Sequence, residues 1–315
     1  VLEDTSLARW RPLAPESWSA LNLDIVRASR ASGDYDLLFQ GMKGLVTGYM
    51  EIGDRAAMDR QIDASARLAQ AFPAPYPCAA AGAMRAGQAL LDGDFAAAER
   101  LLAEVLASGV PGVTGPALVQ LYAHRLDTGR IGELEAPLRE VVKGAPEVAA
   151  WRYARARLLV ELERDDEASE VVARAGPPDD VPRDRTWLPG VAGLAETLYA
   201  LGDAARADQL YRLLQPLARI NVVSGGGSLY YGSVAHFLGL LALATERHDE
   251  ARAHFASAAR MHERMRARPW WLRTRLAQAE LRRRCGEPAE AAAEASRVCT
   301  EAEALGMTGL AGRAR

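Results

Sequence analysis

Apolar residues recur along the chain at helical spacing, and short polar turns separate the periodic segments. Seven of these turns lie 34 to 44 residues apart and begin at Gly53, Gly93, Gly129, Glu163, Gly202, Glu246 and Gly286. Glycine suits the left-handed position that ends a helix, and the aspartate that follows several of these glycines caps the next helix. The pattern therefore predicts seven helix pairs that repeat along the chain.

Positions within each pair keep the same register relative to the turn. Seven residues before each turn stand Val46, Ala86, Tyr122, Ala156, Ala195, Gly239 and Ala279. Five residues after the turn position stand Met58, Ala98, Leu134, Ala168, Ala207, Ala251 and Ala291, and four residues later Ile62, Leu102, Leu138, Val172, Tyr211, Phe255 and Ala295. Residues four apart share one helix face. We expect these positions to form the contact between the two helices of a pair.

Residues 16–31 read as one more helix, the second half of a repeat whose first half is missing. The expected fold is all-α: one right-handed α-solenoid over residues 1–315, with two lobes, 1–176 and 177–315, as a variant. The lobe boundary would fall in the Pro-rich stretch at residues 175–187. Because the chain begins with Val1 in structured-looking sequence, we also expect it to be a fragment of a larger protein.

Composition supports helices and narrows the class of protein. Apolar residues make up 49% and aromatic residues only 6%, which disfavours an all-β fold, and the net charge of −3 does not indicate nucleic-acid binding. Three scattered cysteines without a CxxC motif are typical of a reducing cytoplasm. The sequence contains no run of 18 apolar residues, the length that would predict a membrane span.

Motifs for catalysis or cofactors are not evident. The chain has no P-loop, GxSxG or HExxH motif, so we expect neither cofactor nor metal and no enzymatic activity. His254 and His262 lie eight residues apart on one helix, too far for one metal ion without other ligands. All five histidines are interpreted as surface or packing residues, and the adjacent aspartates at 165–166 and 179–180 as caps and solvated charges.

One glycine-rich segment stands out between the fifth and sixth repeats. It reads Arg-Ile-Asn-Val-Val-Ser-Gly-Gly-Gly-Ser-Leu-Tyr-Tyr-Gly-Ser from Arg219 to Ser233. Its glycines allow positive φ, its backbone N–H groups are candidates for anion binding, and Ser228 is a candidate cap for the next helix. Two interpretations stay open: a long turn packed by tyrosines, or a contact loop for a ligand or partner. The candidate contact residues are Asn221, Ser224, Gly225, Gly226, Gly227, Tyr230 and Tyr231.

An Arg- and Trp-rich cluster follows at Arg264–Arg275. Pro269 suits the first turn of a helix, and neighbouring Trp270 and Trp271 cannot both face one core. Core and cation–π packing is one interpretation, and a recognition site that includes Arg268 and Trp270 is the other. Trp187 opens the fifth repeat in a comparable position and joins the candidate binding residues.

The stretch from Arg185 to about Met307 resembles the C-terminal region of a bacterial family of signal-transducing (STAND-type) regulatory ATPases. The features are TWLPGVAGLAETLYALGDAARADQLYRLLQPLARINVVSGGGSLYYGSVAHFLGLLA and HDEARAHFASAARMHERMRARPWWLRTRLAQAEL. The upstream repeats match more loosely, and the sixth repeat resembles the tetratricopeptide pattern. In this family the repeats form a tail, and some members carry a class III adenylate cyclase domain or a LuxR-type helix-turn-helix. The resemblance implies a sensor or scaffold arm and supplies no catalytic residues.

Three hypotheses about function remain. The first is a regulatory repeat module that binds a protein, peptide or small-molecule effector in its concave groove and controls an attached ATPase, cyclase or transcription-regulator domain. The second is a stand-alone binding receptor or scaffold. The third is an enzyme that uses the groove. Expected partners are an effector and the chain's own N-terminal domain, with a homo-oligomer as a further option, but neither nucleic acid nor membrane.

Overall fold

A computed structural model describes residues 15–315, and it is built almost entirely from helices. Within this range the α-helices are α1 Pro15–Ser32, α2 Tyr35–Ile52, α3 Arg55–Ala71, α4 Pro75–Asp92, α5 Phe95–Ala107, α6 Thr114–Asp127, α7 Glu135–Gly144, α8 Ala149–Glu161, α9 Asp165–Ala175, α10 Trp187–Leu201, α11 Ala204–Leu214, α12 Val234–Ala244, α13 His248–Arg264, α14 Arg268–Arg284, α15 Pro288–Leu305 and α16 Thr308–Ala314. Short 3₁₀ turns lie at Ile131–Leu134, Pro178–Asp180 and Gln215–Leu217. The predicted all-α class is confirmed.

The turns between paired helices lie where the sequence predicts them. Gly53, Gly93 and Gly202 end their helices in the left-handed conformation, and the aspartate after each accepts a hydrogen bond from the backbone N–H three residues on. Glu163 and Glu246 hold the same left-handed position with φ of 58° and 60°. A side chain in this region costs energy that glycine avoids, so these two turns keep the repeat geometry under strain.

The predicted contact positions within the pairs are buried with two exceptions. All seven small or apolar positions before the turns are buried, and after the turns only Leu134 and Ala295 are half-exposed. Gly239 shows why a small residue is needed, because a Cβ added there would lie 2.4 Å from the Phe255 ring. Helices α12 and α13 therefore approach as closely as the missing side chain permits.

Contacts among the described residues divide the chain into two units. The first unit comprises the described part of residues 1–124 together with 223–231 and 264–267, and the second comprises 125–222, 232–263 and 268–315. In the first unit α1 packs on α2, α2 on α3, α3 on α4 and α4 on α5. In the second unit the first helices of successive pairs, α8, α10, α12 and α14, also contact one another in a row.

The sequence suggested a lobe boundary at residues 175–187, but the unit boundary lies elsewhere. Helices α8 and α10, on either side of that loop, pack against each other within the second unit. The Pro-rich stretch forms a short 3₁₀ turn at Pro178–Asp180 and bends rather than separating two bodies. Between residues 15 and 315, no helix has both the length and the apolar character that crossing a bilayer requires.

The glycine-rich segment forms a small β-hairpin instead of a plain turn. Strands β1 (Asn221–Ser224) and β2 (Leu229–Ser233) pair on either side of Gly225–Ser228. Valine and tyrosine favour strands, and the glycines supply the positive φ of the connection. The prediction that Ser228 caps the next helix is wrong: Ser233, the last residue of β2, accepts the hydrogen bond from Ala235 N at the start of α12.

Candidate functional site

A cavity of about 640 Å³ lies within the second unit. Side chains of the first helices α8, α10, α12 and α14 line it, together with residues of α15 and the short C-terminal helix α16. Helix α16 returns to the start of this unit: Thr308 donates to the Thr128 carbonyl, and Arg313 pairs with Glu161. The last element of the unit thus contacts its first repeats.

One repeat position supplies the cavity wall. Six residues before the turn positions of the four pairs in this row stand Arg157, Glu196, Leu240 and Glu280, and all four line the cavity. Each is the neighbour of a small packing residue, so the packing register points it to a different face of its helix. Sequence reasoning missed this site because it followed only the packing positions. The clearest signal in the sequence was Glu196, the one charged residue of the otherwise apolar helix α10.

A chain of alternating charges crosses the cavity wall. Arg273 pairs with Asp127 at 2.5 Å and approaches Glu196 at 3.9 Å, and Glu196 approaches Arg157 at 3.6 Å. Arg157 pairs with Glu161 at 2.5 Å. Arg273, Glu196 and Arg157 are each no more than 7% exposed. Removing one member of such a buried set leaves an uncompensated charge, so the charged residues of this set depend on one another.

The electrostatics of Glu161 follow from this arrangement. Burial raises the pKa of its carboxyl, but the guanidinium groups of Arg157 and Arg313 outweigh that effect and hold the pKa below its usual range. Glu161 is therefore ionised at neutral pH. Arg313 Nη1 donates hydrogen bonds to both carboxylate oxygens of Glu161, at 2.6 and 2.8 Å. Helix α16 is thus attached to α8 through a carboxylate that stays charged.

The remaining wall is partly apolar. Leu240, Leu276 and Leu310 line it beside a group of alanines, and Tyr199 and Glu280 lie on the same wall. Burial and the Glu280 charge raise the pKa of the Tyr199 phenol, while Arg284 and Arg283 oppose them. The phenol therefore stays protonated at neutral pH. The cavity presents apolar surface next to ordered charges, which suits an amphipathic ligand.

Two buried histidines form a polar network at the cavity wall, and His236 is one of the lining residues. His236 Nδ1 lies 2.9 Å from Thr274 Oγ1, and Thr274 Oγ1 lies 3.1 Å from His262 Nδ1. The backbone N–H of Ser233 donates to His262 Nε2 at 3.0 Å. Burial lowers the pKa of His236 to about 3 and that of His262 well below its usual value. Both rings are neutral at physiological pH, so they fix helix positions and carry no charge.

The candidate residues of the glycine-rich segment lie together on the hairpin. Asn221, Tyr230 and Tyr231 are buried, and Ser224, Gly225 and Gly226 are half-buried. Gly227 is also buried, beside Thr47 of α2. This burial favours the packing interpretation of the segment over an open contact loop. Contact with a ligand through these residues stays a prediction.

The aromatic candidates are core residues. Trp187 is 1% exposed at the start of α10 with the Arg183 guanidinium over its ring. Trp270 is 8% exposed, and its ring fills the space left by Gly232, where an added Cβ would lie 2.6 Å from it. Arg268, by contrast, is exposed at the start of α14. Of these three candidates, two are therefore buried by packing and only Arg268 is exposed to solvent.

In the second-unit cavity Arg157 pairs with Glu161, Glu196 lies near both Arg157 and Arg273, and His236 is buried and neutral. Across residues 15–315, no three His, Cys, Asp or Glu side chains are grouped as metal ligands. No protein-family model matches the sequence, and the comparison with curated proteins gave no match.

Proposed function

We propose that this chain is a non-catalytic regulatory repeat module, and that the cavity of its second unit binds the effector. The observation that carries the proposal is the row of first helices whose equivalent positions, Arg157, Glu196, Leu240 and Glu280, all face one cavity. Helical repeats commonly use this face for ligands. In the proposal the module controls an attached ATPase, cyclase or transcription-regulator domain.

The size and lining of the cavity indicate the kind of effector. A volume of about 640 Å³ lies in the range of sites that hold small molecules or a few peptide residues. Leucines and alanines offer an apolar surface, and the charge chain offers both signs within a few ångströms. We therefore favour an amphipathic small molecule or short peptide that carries a charged group.

Ligand binding would be coupled to the arrangement of the repeats through α16. This helix touches the first repeats of the unit through Thr308 and Arg313, so the cavity is bordered by elements from both ends of the row. A ligand that contacts both ends stabilises one arrangement of the helices over others. That difference in stability is what a neighbouring domain would sense.

Two tryptophan substitutions at neighbouring alanines test the site. Ala292 and Ala293 are adjacent exposed residues on α15, but only Ala292 lines the cavity. We would screen short peptides and amphipathic carboxylic acids by thermal shift, with Ala292→Trp and Ala293→Trp in parallel. A ligand at one hundred times its Kd stabilises by about 2.7 kcal/mol. Binders should raise the Tm of the unmodified chain and of Ala293→Trp, but not that of Ala292→Trp. Equal shifts in all three proteins would refute the cavity as the site.

The regulatory part of the proposal has its own test. The native gene product can be sized by immunoblot or intact mass in source cells. A product well above 34.0 kDa supports an arm that controls an attached domain. A product close to that mass would instead favour the alternative, a stand-alone receptor or scaffold that acts in trans.

A further inference from the structure

The first unit contains a second groove, and the chain itself occupies it. One face of each of α2, α4 and α6 borders the groove through residues four apart: Lys43 and Thr47, Ala83 and Gly87, Pro116 and Gln120. The four-residue connection of the hairpin, Gly225–Ser228, which we call the glycine turn, lies among them within the same unit. The face of the repeats on which ligands commonly bind is thus filled.

Contacts to the glycine turn are made through its backbone. Gln120 Nε2 donates to the Ala83 carbonyl at 2.7 Å and to the Ser228 carbonyl at 2.6 Å. A Cβ on Gly87 would lie 1.7 Å from the Ser228 oxygen, so the groove is open there only because residue 87 is glycine. The groove therefore recognises a main-chain carbonyl and no side chain.

The conformation and fit of the glycine turn depend on its three glycines. Gly225, Gly226 and Gly227 all have positive φ. A Cβ on Gly227 would meet Thr47 Oγ1 at 2.6 Å, and one on Gly225 would meet the Pro116 backbone at 3.3 Å. Both the conformation and the fit against α2 and α6 exclude larger residues. This complementarity resembles that between a peptide and its binding site.

The groove holds a hydrogen-bond acceptor that the glycine turn does not use. The Gln120 side chain is fully buried, and its Oε1 has no hydrogen-bond partner among the described residues. A buried amide oxygen without a donor is unfavourable. An extended peptide backbone presents a carbonyl and an N–H side by side, and so can pair with both ends of the Gln120 carboxamide.

We propose that this groove is a peptide-binding site held closed by the glycine turn. Its ligand would be an extended, glycine-containing segment of a partner protein that accepts from Gln120 Nε2 and donates to Gln120 Oε1. The site is in the first unit and does not depend on the effector cavity of the second. The segment singled out in the sequence as a ligand loop is, in this view, the built-in competitor of the ligand.

Competition within one chain sets a threshold for the partner. A tethered segment acts at an effective concentration of roughly millimolar. The apparent Kd of a partner is its intrinsic Kd divided by the fraction of molecules whose groove is open. A partner peptide should therefore bind the unmodified chain weakly and bind much more tightly once the glycine turn is excluded.

The direct test uses Gly227→Val, which denies the turn both its φ of 86° and its space beside Thr47. The probe is a fluorescent peptide with the sequence of residues 224–232, followed by anisotropy. We expect its Kd to be at least tenfold lower for Gly227→Val than for the unmodified full-length chain. Adding Gln120→Ala to Gly227→Val should reverse this gain, while adding Gly115→Ala, an exposed position on α6 with open space, should not.

Equal peptide affinity with and without Gly227→Val would overturn the proposal, and so would insensitivity to Gln120→Ala. A second measurement covers the case in which Gly227→Val does not fold. In hydrogen-exchange measurements on the unmodified chain, excess peptide should increase the exchange rate of the amides at residues 223–231. If these amides exchange only with global unfolding, the turn does not leave the groove and the proposal fails. Neither readout involves Ala292, so failure here is distinguishable from failure of the effector cavity.

Discussion

Replacing Arg273 by methionine tests whether the buried charges that line the second unit's cavity depend on one another for stability. Arg273 is 7% exposed, lies 2.5 Å from Asp127 and 3.9 Å from Glu196, and packs over the Trp270 ring. Methionine keeps much of the length and apolar stem but leaves two buried carboxylates without this cation. Breaking a buried pair on one side costs about 3–5 kcal/mol. Domains are stable by only about 5–15 kcal/mol, so this is a large part of the total.

The assay is urea unfolding followed by circular dichroism, with Arg297→Met as the matched control. Arg297 also pairs with a glutamate at 2.5 Å, but its side chain is 59% exposed, so its loss should cost less than about 1 kcal/mol. Adding Asp127→Asn to Arg273→Met should restore part of the lost stability because one uncompensated charge disappears. If Arg273→Met costs no more than Arg297→Met, the reasoning about buried charge is wrong.

Two further predictions concern the repeats and their buried histidines. Glu163→Gly and Glu246→Gly should each stabilise the chain by about 1 kcal/mol, since both glutamates have positive φ. Gly202→Ala, at φ of 67° and in open space, should destabilise it by a similar amount. Unfolding midpoints that do not fall in this order would contradict the backbone strain assigned to Glu163 and Glu246. Burial lowers the pKa values of His236 and His262, so below pH 6.5 the unfolded state binds more protons than the folded state. The stabilisation should be complete above the unfolded pKa of about 6.5 and should decrease as the pH falls toward 3. The loss should reach about 1.4 kcal/mol per pH unit for each histidine. Urea unfolding at pH 7 and pH 5 measures this, and His236→Asn should reduce the slope.

The repeat geometry was predictable because its signals are local. A left-handed helix end and an aspartate cap involve residues a few positions apart, as at Gly53 and Asp54. Even Glu163 and Glu246, which lack the favoured residue, were placed correctly by the spacing of their neighbours. The close approach of Gly239 to Phe255 also follows from the register, since both belong to one helix pair.

The cavity was not predictable in the same way, because its charge chain joins residues that are remote in sequence. Arg273 and Asp127 are 146 positions apart, and Arg313 and Glu161 are 152 apart. Nothing in local periodicity says that α16 returns to α8. The hairpin was a partial success: the glycine segment was recognised as unusual, but pairing of β1 with β2 buries both faces of its strands and so leaves no alternating pattern to read.

One repeat position determines how each unit can use its inner helix face. In the first unit, Thr47 and Gly87 stand six residues before their turns, and both are small enough to admit a glycine turn beside them. In the second unit, Arg157, Glu196 and Glu280 stand at the same position, and their charges leave a lined cavity rather than a filled groove. The packing positions next to them are alike in both units, Val46 and Ala86 against Ala156 and Ala195. The scaffold thus keeps one register for packing, while the adjacent residue differs between a face that lies against the glycine turn and a face that carries charged side chains.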